Sequence, residues 1–324
     1  MGIWLSFAAV DFLGLADVVI FGAFTLVSAL VWGLLGGAAD AALRGIAADG
    51  AEYVKAKTAC EGRNSAIGLF CSPVGALLYG VSPAIVPLVQ TSLFGISALF
   101  ASALPCGDAA RSLSGSGSAS AENAMEMLGQ GVSWIAHQRA ILTLLAAASL
   151  INFSFQIWQY GLQYIQLDAG QTALGVSVLD MASCIGILVG AMMAMKMSGD
   201  PKPVKAVWAV LAALAIASTC LFLGIGSDLS AALALAVFSL PMPHASASIQ
   251  GKIFLEVPDK MQGRARSVFN VVAQGFALVA PLAASFLSCH GAEPAICVAS
   301  LAAMGLALLC SRADEWKARS SRSA

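Results

Sequence analysis

Residues 171–196 read QTALGVSVLDMASCIGILVGAMMAMK. Apart from Asp180 and the closing Lys196, nothing in this run carries a charge. About 20 apolar residues in helical form cross the hydrocarbon core of a bilayer, so the run is long enough to span one. Similar apolar runs lie near 18–43, 65–80, 83–104, 139–165, 204–225, 229–251, 265–288 and 292–311. The run at 65–80 is short, but Pro73 and its neighbouring glycines suit a helix packed inside a bundle. Nine full spans are therefore expected. Residues 1–14 are apolar but reach only about 21 Å at 1.5 Å per residue, short of a core about 30 Å thick. They read as the trailing part of a further helix.

Composition agrees with that reading. Of 324 residues, 59% are hydrophobic and 11% charged, with a mean hydropathy of +0.83. Soluble domains carry about 25% charged and 45–50% apolar residues. The 17 basic and 18 acidic side chains are too few to cover a water-soluble fold of this size. Disordered and collagen-like chains are polar or strictly periodic, and this one is neither. The expected fold class is all-α, a polytopic membrane helix bundle with the lipid bilayer as its first partner. A formal net charge of −1 offers no basic excess for nucleic acid. No Lys or Arg precedes Arg44, so the start lacks the basic region of a signal peptide.

Basic residues orient the bundle. Arg44, Lys55, Lys57 and Arg63 follow the first full span, and Arg111 and Arg139 lie between the third and fourth. Lys196, Lys202 and Lys205 follow the fifth; Lys252, Lys260, Arg264 and Arg266 follow the seventh. Arg312, Lys317, Arg319 and Arg322 follow the ninth, which accounts for all 17 Lys and Arg. The alternate loops hold acids such as Asp168, Asp228 and Glu293, or His290. Positive charge concentrates in cytoplasmic loops, so these five loops and the C-terminus are expected in the cytoplasm of a multi-pass protein of the cell membrane.

The longest connection, 105–138, opens with the flexible run SLSGSGSAS at 112–120. Met125, Leu128, Val132 and Ile135 then share one helical face, with Trp134 beside them, as in a helix lying on the membrane surface. Four regions result: a front bundle over 1–104, the linker 105–138, a six-helix rear bundle over 139–311, and a tail over 312–324. Arg44 and Lys252 each precede a proline, Pro73 and Pro281, by 29 residues. Such a correspondence is expected of parallel repeats in the two halves of a transporter.

Three stretches resemble the major facilitator superfamily, particularly its macrolide-efflux-like branch. Gly68-Leu-Phe-Cys-Ser-Pro73-Val-Gly75-Ala is similar to the Gly-x-x-x-Gly-Pro-x-x-Gly-Gly signature of the fifth helix in drug antiporters. It departs at Ser72 and closes one residue early. Gln130-Gly131-Val132-Ser-Trp134-Ile135 resembles the approach to the seventh helix. Val257-Pro258-Asp-Lys-Met-Gln-Gly263-Arg264-Ala-Arg-Ser267 resembles the loop between helices ten and eleven. Family members have twelve helices, so the resemblance implies that the nine spans are the fourth to the twelfth. It implies a truncated two-bundle fold lacking the first two helices and the Gly-x-x-x-Asp-Arg-x-Gly-Arg-Arg gate loop. A monomer is expected unless another chain supplies those helices.

Ionisable groups in hydrocarbon are costly and mark functional positions. Asp180 lies near the middle of its run. It either takes up a proton or faces a cationic substrate in a watery cavity, or else it is satisfied by neighbouring hydroxyls or lies nearer the outer interface. Asn152, Gln156 and Gln159 repeat at i, i+4 and i+7 on one helical face, beside Tyr160. That polar stripe either lines a substrate cavity or bonds to neighbouring helices. Asn270 and Gln274 pose the same alternative. Pro241-Met-Pro243-His244 interrupts 229–251, where two prolines kink a helix and His244 could titrate near neutral pH. Asp180 and His244 are the coupling candidates. Pro73, Gly75, Pro241, Pro243, Gly263, Arg264 and Pro281 are candidates for gating or close packing, while Gly175, Gly186 and Gly190 read as packing positions.

No catalytic or metal-binding residue is expected. Gly251-Lys252 lacks the rest of a phosphate-binding loop, and neither H-E-x-x-H nor G-x-S-x-G occurs. Three histidines and eight cysteines without C-x-x-C spacing suggest no metal and no cofactor. Cys289 and Cys297 flank one short loop and could pair if it faces an oxidising compartment. The expected function is secondary active transport by alternating access, as proton-coupled efflux of a small amphipathic or drug-like compound. The alternatives are a transport-inactive truncated remnant or a non-transporting membrane binding protein.

Overall fold

The computed structural model describes residues 50–82, 85–103, 132–196, 202–223, 228–257, 262–289 and 300–307, with single positions at 27, 129, 298 and 309. Among these residues there is no β-strand. Eight helices follow in order: α1 (Gly50–Val81), α2 (Ile85–Ala103), α3 (Arg139–Asp168), α4 (Ala173–Lys196), α5 (Pro203–Leu223), α6 (Asp228–Ser239), α7 (Met242–Glu256) and α8 (Gln262–Cys289). Residues 300–307 are also helical. Among the described residues, five stretches are long and apolar enough to cross a membrane: Ala51–Val81, Arg139–Asp168, Ala173–Lys196, Pro203–Leu221 and Asp228–Ile253. The protein is an all-α bundle of membrane-spanning helices. Apart from the single position 27, the expected span at 18–43, residues 1–14, the serine-glycine run and the tail lie outside the described residues.

The outer surface is apolar. Phe70, Val81, Leu99 and Phe100 are each at least 70% exposed. Surfaces of this kind are rare on soluble monomers and are what lipid solvates. The inside holds small residues and a compact core drawn from α3 to α8. Its centre is Phe238 on α6, with Trp158 of α3 edge-on at 5.4 Å and Phe155 at 5.7 Å. Burying two large rings against a third in offset geometry adds about 0.5–1.5 kcal/mol per pair beyond the area they cover.

Three expectations change. Lys55, Lys57 and Arg63 sit on helix rather than in a loop, because α1 starts at Gly50 and runs unbroken past Pro73. The charged first half sustains itself through i,i+4 pairing, as in Lys57–Glu61 at 3.5 Å. The double proline does not kink one helix; it separates two. The α6 helix ends at Ser239, and Pro241 is the N-cap of α7, with Pro243 in its first turn. A proline there forgoes an N–H that would have had no intrahelical partner. The expected surface helix also departs from its pattern, since Ile135 is 3% exposed and belongs to the core while Val132 is exposed. Met125 and Leu128 lie outside the described residues.

Close helix contacts come from glycines. A Cβ placed on Gly186 would fall on the Ala236 carbonyl oxygen, and one on Gly190 on the Leu240 carbonyl oxygen. This lets α4 lie directly against α6, where the Ser183 and Ser239 hydroxyls meet at 3.1 Å. Gly175 instead abuts its own helix start, near the Gln171 side chain.

The α1 and α4 helices run antiparallel. Gly62 lies against Ala191, and Gly68 against Cys184, whose Sγ would be 2.9 Å from an added Cβ. Gly68→Ala is therefore expected to cost about 1 kcal/mol by overpacking, and Cys184→Ala in the same chain to recover most of it. Thermal unfolding of the two single variants, the double variant and the parent measures that coupling.

Candidate functional site

Asp180 lies seven residues into α4, about 10 Å from its start at 1.5 Å per residue. That places it between the middle of the helix and the end away from Lys196. Two neighbours present polar groups to it. From α3, Gln159 Nε2 and Gln163 Nε2 both donate to Oδ1, at 2.8 and 2.7 Å. From α1, the Ser72 hydroxyl donates to Oδ2 at 2.9 Å. Each donor is neutral. The carboxylate ties three helices together without an ion pair among the described residues.

Local sequence explains the arrangement. Helical spacing of four puts Gln159 and Gln163 one above the other on α3. Ser72 directly precedes Pro73 on α1, in the stretch where glycine at 68 brings α1 close to α4. A cavity of about 300 Å³ opens beside the carboxylate. Its lining comprises Ser72, Gly75, Ala76 and Tyr79 of α1, Val86 of α2, Gln163 of α3, and Ala173, Val176, Ser177 and Asp180 of α4. The C-terminal part of α1 and the starts of α2 and α4 therefore surround it. It lies toward the end of the bundle opposite Lys55, Lys57 and Lys196.

The Asp180 oxygens are satisfied by neighbouring side chains, and the residue also lines a cavity. Gln159 reaches it as the polar stripe suggested. Asn152 and Gln156 are half-buried further along α3 and do not line this cavity, while Tyr160 packs against the hydrophobic core. Gly75 lines the cavity. His244 is half-buried in the first turn of α7 and is not part of the lining. Pro281 is inside α8. Asn270, Gln274, Gly263 and Arg264 belong to α8 by backbone, but their side chains lie outside the described residues, as does the Cys289–Cys297 pair.

Sequence reasoning missed Gln163, Ser72, Tyr79 and Ser177. Gln163 was findable: it continues the stripe from Gln156 by seven residues, and Gln166 does the same from Gln159. Gln166 caps the stripe by contacting Asp228 at 3.4 Å, which Gln171 also binds at 2.9 Å. Ser72 carried no such signal, because its partner is 108 residues away.

Average interhelical hydrogen bonds in membranes are worth about 0.6 kcal/mol, at most about 1.7. Gln163→Leu and Gln159→Leu are each expected to destabilise within that range. Asn152→Leu, with no such bond among the described residues, is expected to change little. Thermal unfolding in detergent reads all three.

Fold and site together define an integral membrane helix bundle with a hydrogen-bonded carboxylate at a helix seam. No family model matches the chain, and no curated protein matches it. Among the described residues no group of three or more His, Cys, Asp or Glu is placed to hold a metal ion.

Proposed function

We propose that this protein is a secondary active transporter of the major facilitator type, exporting a small amphipathic compound in exchange for protons. The observation that carries the reading is the carboxylate of Asp180, bound among the described residues by neutral donors alone at the contact between α1 and α4 and open to a cavity. Acids inside membrane spans are costly, and this one has no basic partner among the described residues to make it merely structural. The α1 helix belongs to the expected front bundle and α4 to the rear one.

The hydrogen-bond pattern suggests where a proton binds. Oδ1 already accepts two amide N–H groups, which cannot turn round and accept. Oδ2 faces a hydroxyl, which can do either. A proton therefore goes to Oδ2, and Ser72 changes from donor to acceptor. Both glutamine bonds survive while the charge disappears from the seam. The charge-assisted bond between α1 and α4 becomes a neutral one, roughly half as strong. Such weakening of a contact between bundles is what rocking around a central site requires. Among the described residues the titratable side chains around the carboxylate are Tyr160 and Cys184, with Cys71 beside Cys184 and Tyr79 in the cavity lining.

Basic residues gather at one end of the bundle, which the reading assigns to the cytoplasm of a cell-membrane protein. The test uses everted membrane vesicles energised to be acidic inside. Fluorescent amphipathic dyes are expected to accumulate in vesicles containing the protein and to leave when nigericin collapses the gradient. Accumulation equal to that of vesicles lacking the protein overturns the proposal. One observation favours a non-transporting membrane protein instead: three donors from two neighbouring helices hold the acid as they would a structural one. Saturable dye binding without gradient-driven accumulation selects that second reading.

A further inference from the structure

We infer that the cavity beside Asp180 binds a small organic ammonium ion with a single N–H donor, such as a protonated tertiary amine with apolar substituents. The inference deepens the transport reading by naming a substrate class for the same site. Binding can be measured without transport, so the two fail separately.

Charge sets the sign of the ligand. Among the described residues the lining contains one carboxylate and no Lys, Arg or His, so a monovalent cation complements it and an anion is repelled. Donor count sets the head group. A carboxylate offers about four lone-pair positions, and Gln159, Gln163 and Ser72 occupy three. One position remains, on Oδ2. A guanidinium fork needs two free oxygens for its bidentate bond and is poorly matched. A quaternary ammonium has charge but no N–H, so it leaves that position empty. A tertiary ammonium fills it with its single donor.

The walls set the remainder. Ala76, Val86, Ala173 and Val176 are apolar, and Tyr79 adds an aromatic ring, whose face attracts cations. About 300 Å³ is at the lower limit of small-molecule sites, so the cavity holds the head group and its nearest carbons while the rest of the molecule lies outside it. Tyr79 is 57% exposed on the apolar outer surface of the bundle, so one wall of the cavity borders the bilayer. Amphipathic amines concentrate there, with the head group near the interface and the tail in the hydrocarbon.

The test is calorimetric titration of the full chain in lipid nanodiscs, with empty discs subtracted to remove partitioning. The probes are N,N-dimethyloctylamine, octyltrimethylammonium and octylguanidinium, which share one alkyl chain. Saturable one-site binding of dimethyloctylamine is expected, about tenfold or more tighter than either other probe, the effect of one lost charge-assisted hydrogen bond. Gly75→Leu tests the location without replacing the carboxylate, because a Cβ there meets nothing within 4 Å and the position lines the cavity. It is expected to abolish binding. Gly80→Leu, equally free of neighbours but outside the lining, is expected to bind as the parent does. Three results overturn the proposal: no saturable heat above empty discs, equal affinity for the three probes, or binding that survives Gly75→Leu. Displacement of dimethyloctylamine by 100 mM sodium chloride but not by choline chloride also overturns it, by placing an inorganic cation at the site.

Discussion

Asn in place of Asp180 is expected to reduce gradient-driven dye accumulation to the level of vesicles lacking the protein while leaving the bundle folded. The structural part follows from the bonds around the carboxylate. An asparagine Oδ1 accepts from Gln159 and Gln163 as the aspartate oxygen does, and its Nδ2 donates to a Ser72 hydroxyl that can accept. Three contacts survive. Exchanging charged for neutral hydrogen bonds costs about 1 kcal/mol, partly offset by removing a charge that was expensive to bury. For a protein of this size that corresponds to a fall in Tm of no more than about 4 °C. Loss of flux therefore reports loss of proton binding and not loss of fold. Asp180→Leu behaves differently, since it strands three donors at about 1–3 kcal/mol each, and thermal unfolding is expected to separate the two variants clearly. Flux retained in Asp180→Asn removes this residue from the coupling.

The second large effect is structural. Gly190→Ala is expected to cost about 3 kcal/mol or more, because its Cβ would occupy the space of the Leu240 carbonyl oxygen. Overpacking ordinarily costs about 1–3 kcal/mol, when side chains can shift. Here the obstacle is backbone at the turn between α6 and α7, held by the Leu240 N–H bond to Val237. Only a displacement of one helix relieves it. Gly186→Ala meets the Ala236 carbonyl in the same way. Gly75→Ala is the internal comparison: with nothing within 4 Å of its Cβ, it is expected to change stability by no more than about 0.5 kcal/mol. Unfolding midpoints in one detergent compare the three. A Gly190→Ala protein as stable as the parent removes the close α4–α6 contact from the account of stability.

Much of this is legible in the sequence. The helix at 173–196 differs from the run read at 171–196 by two residues, because an uninterrupted apolar stretch has only one way to satisfy its backbone in lipid. Gln159 was legible for a similar reason: a glutamine in such a helix needs a protein or water partner. The charged first half of α1 was misread as loop because hydropathy reports what enters lipid, and a helix can extend beyond it. The α6–α7 boundary was misread in detail, since a proline pair marks an interruption without stating whether the chain bends or begins again.

The sequence by itself determined the environment, the helical class, and the fact that Asp180 must find partners, because these depend on transfer free energies that each segment carries alone. Only the tertiary structure decided who the partners are. Ser72 reaches Asp180 because glycines at 62 and 68 let α1 approach α4, and the cavity exists because Gly75 and Ala76 leave space that larger residues would fill. Contacts of this kind depend on distances between helices, and no single segment records them.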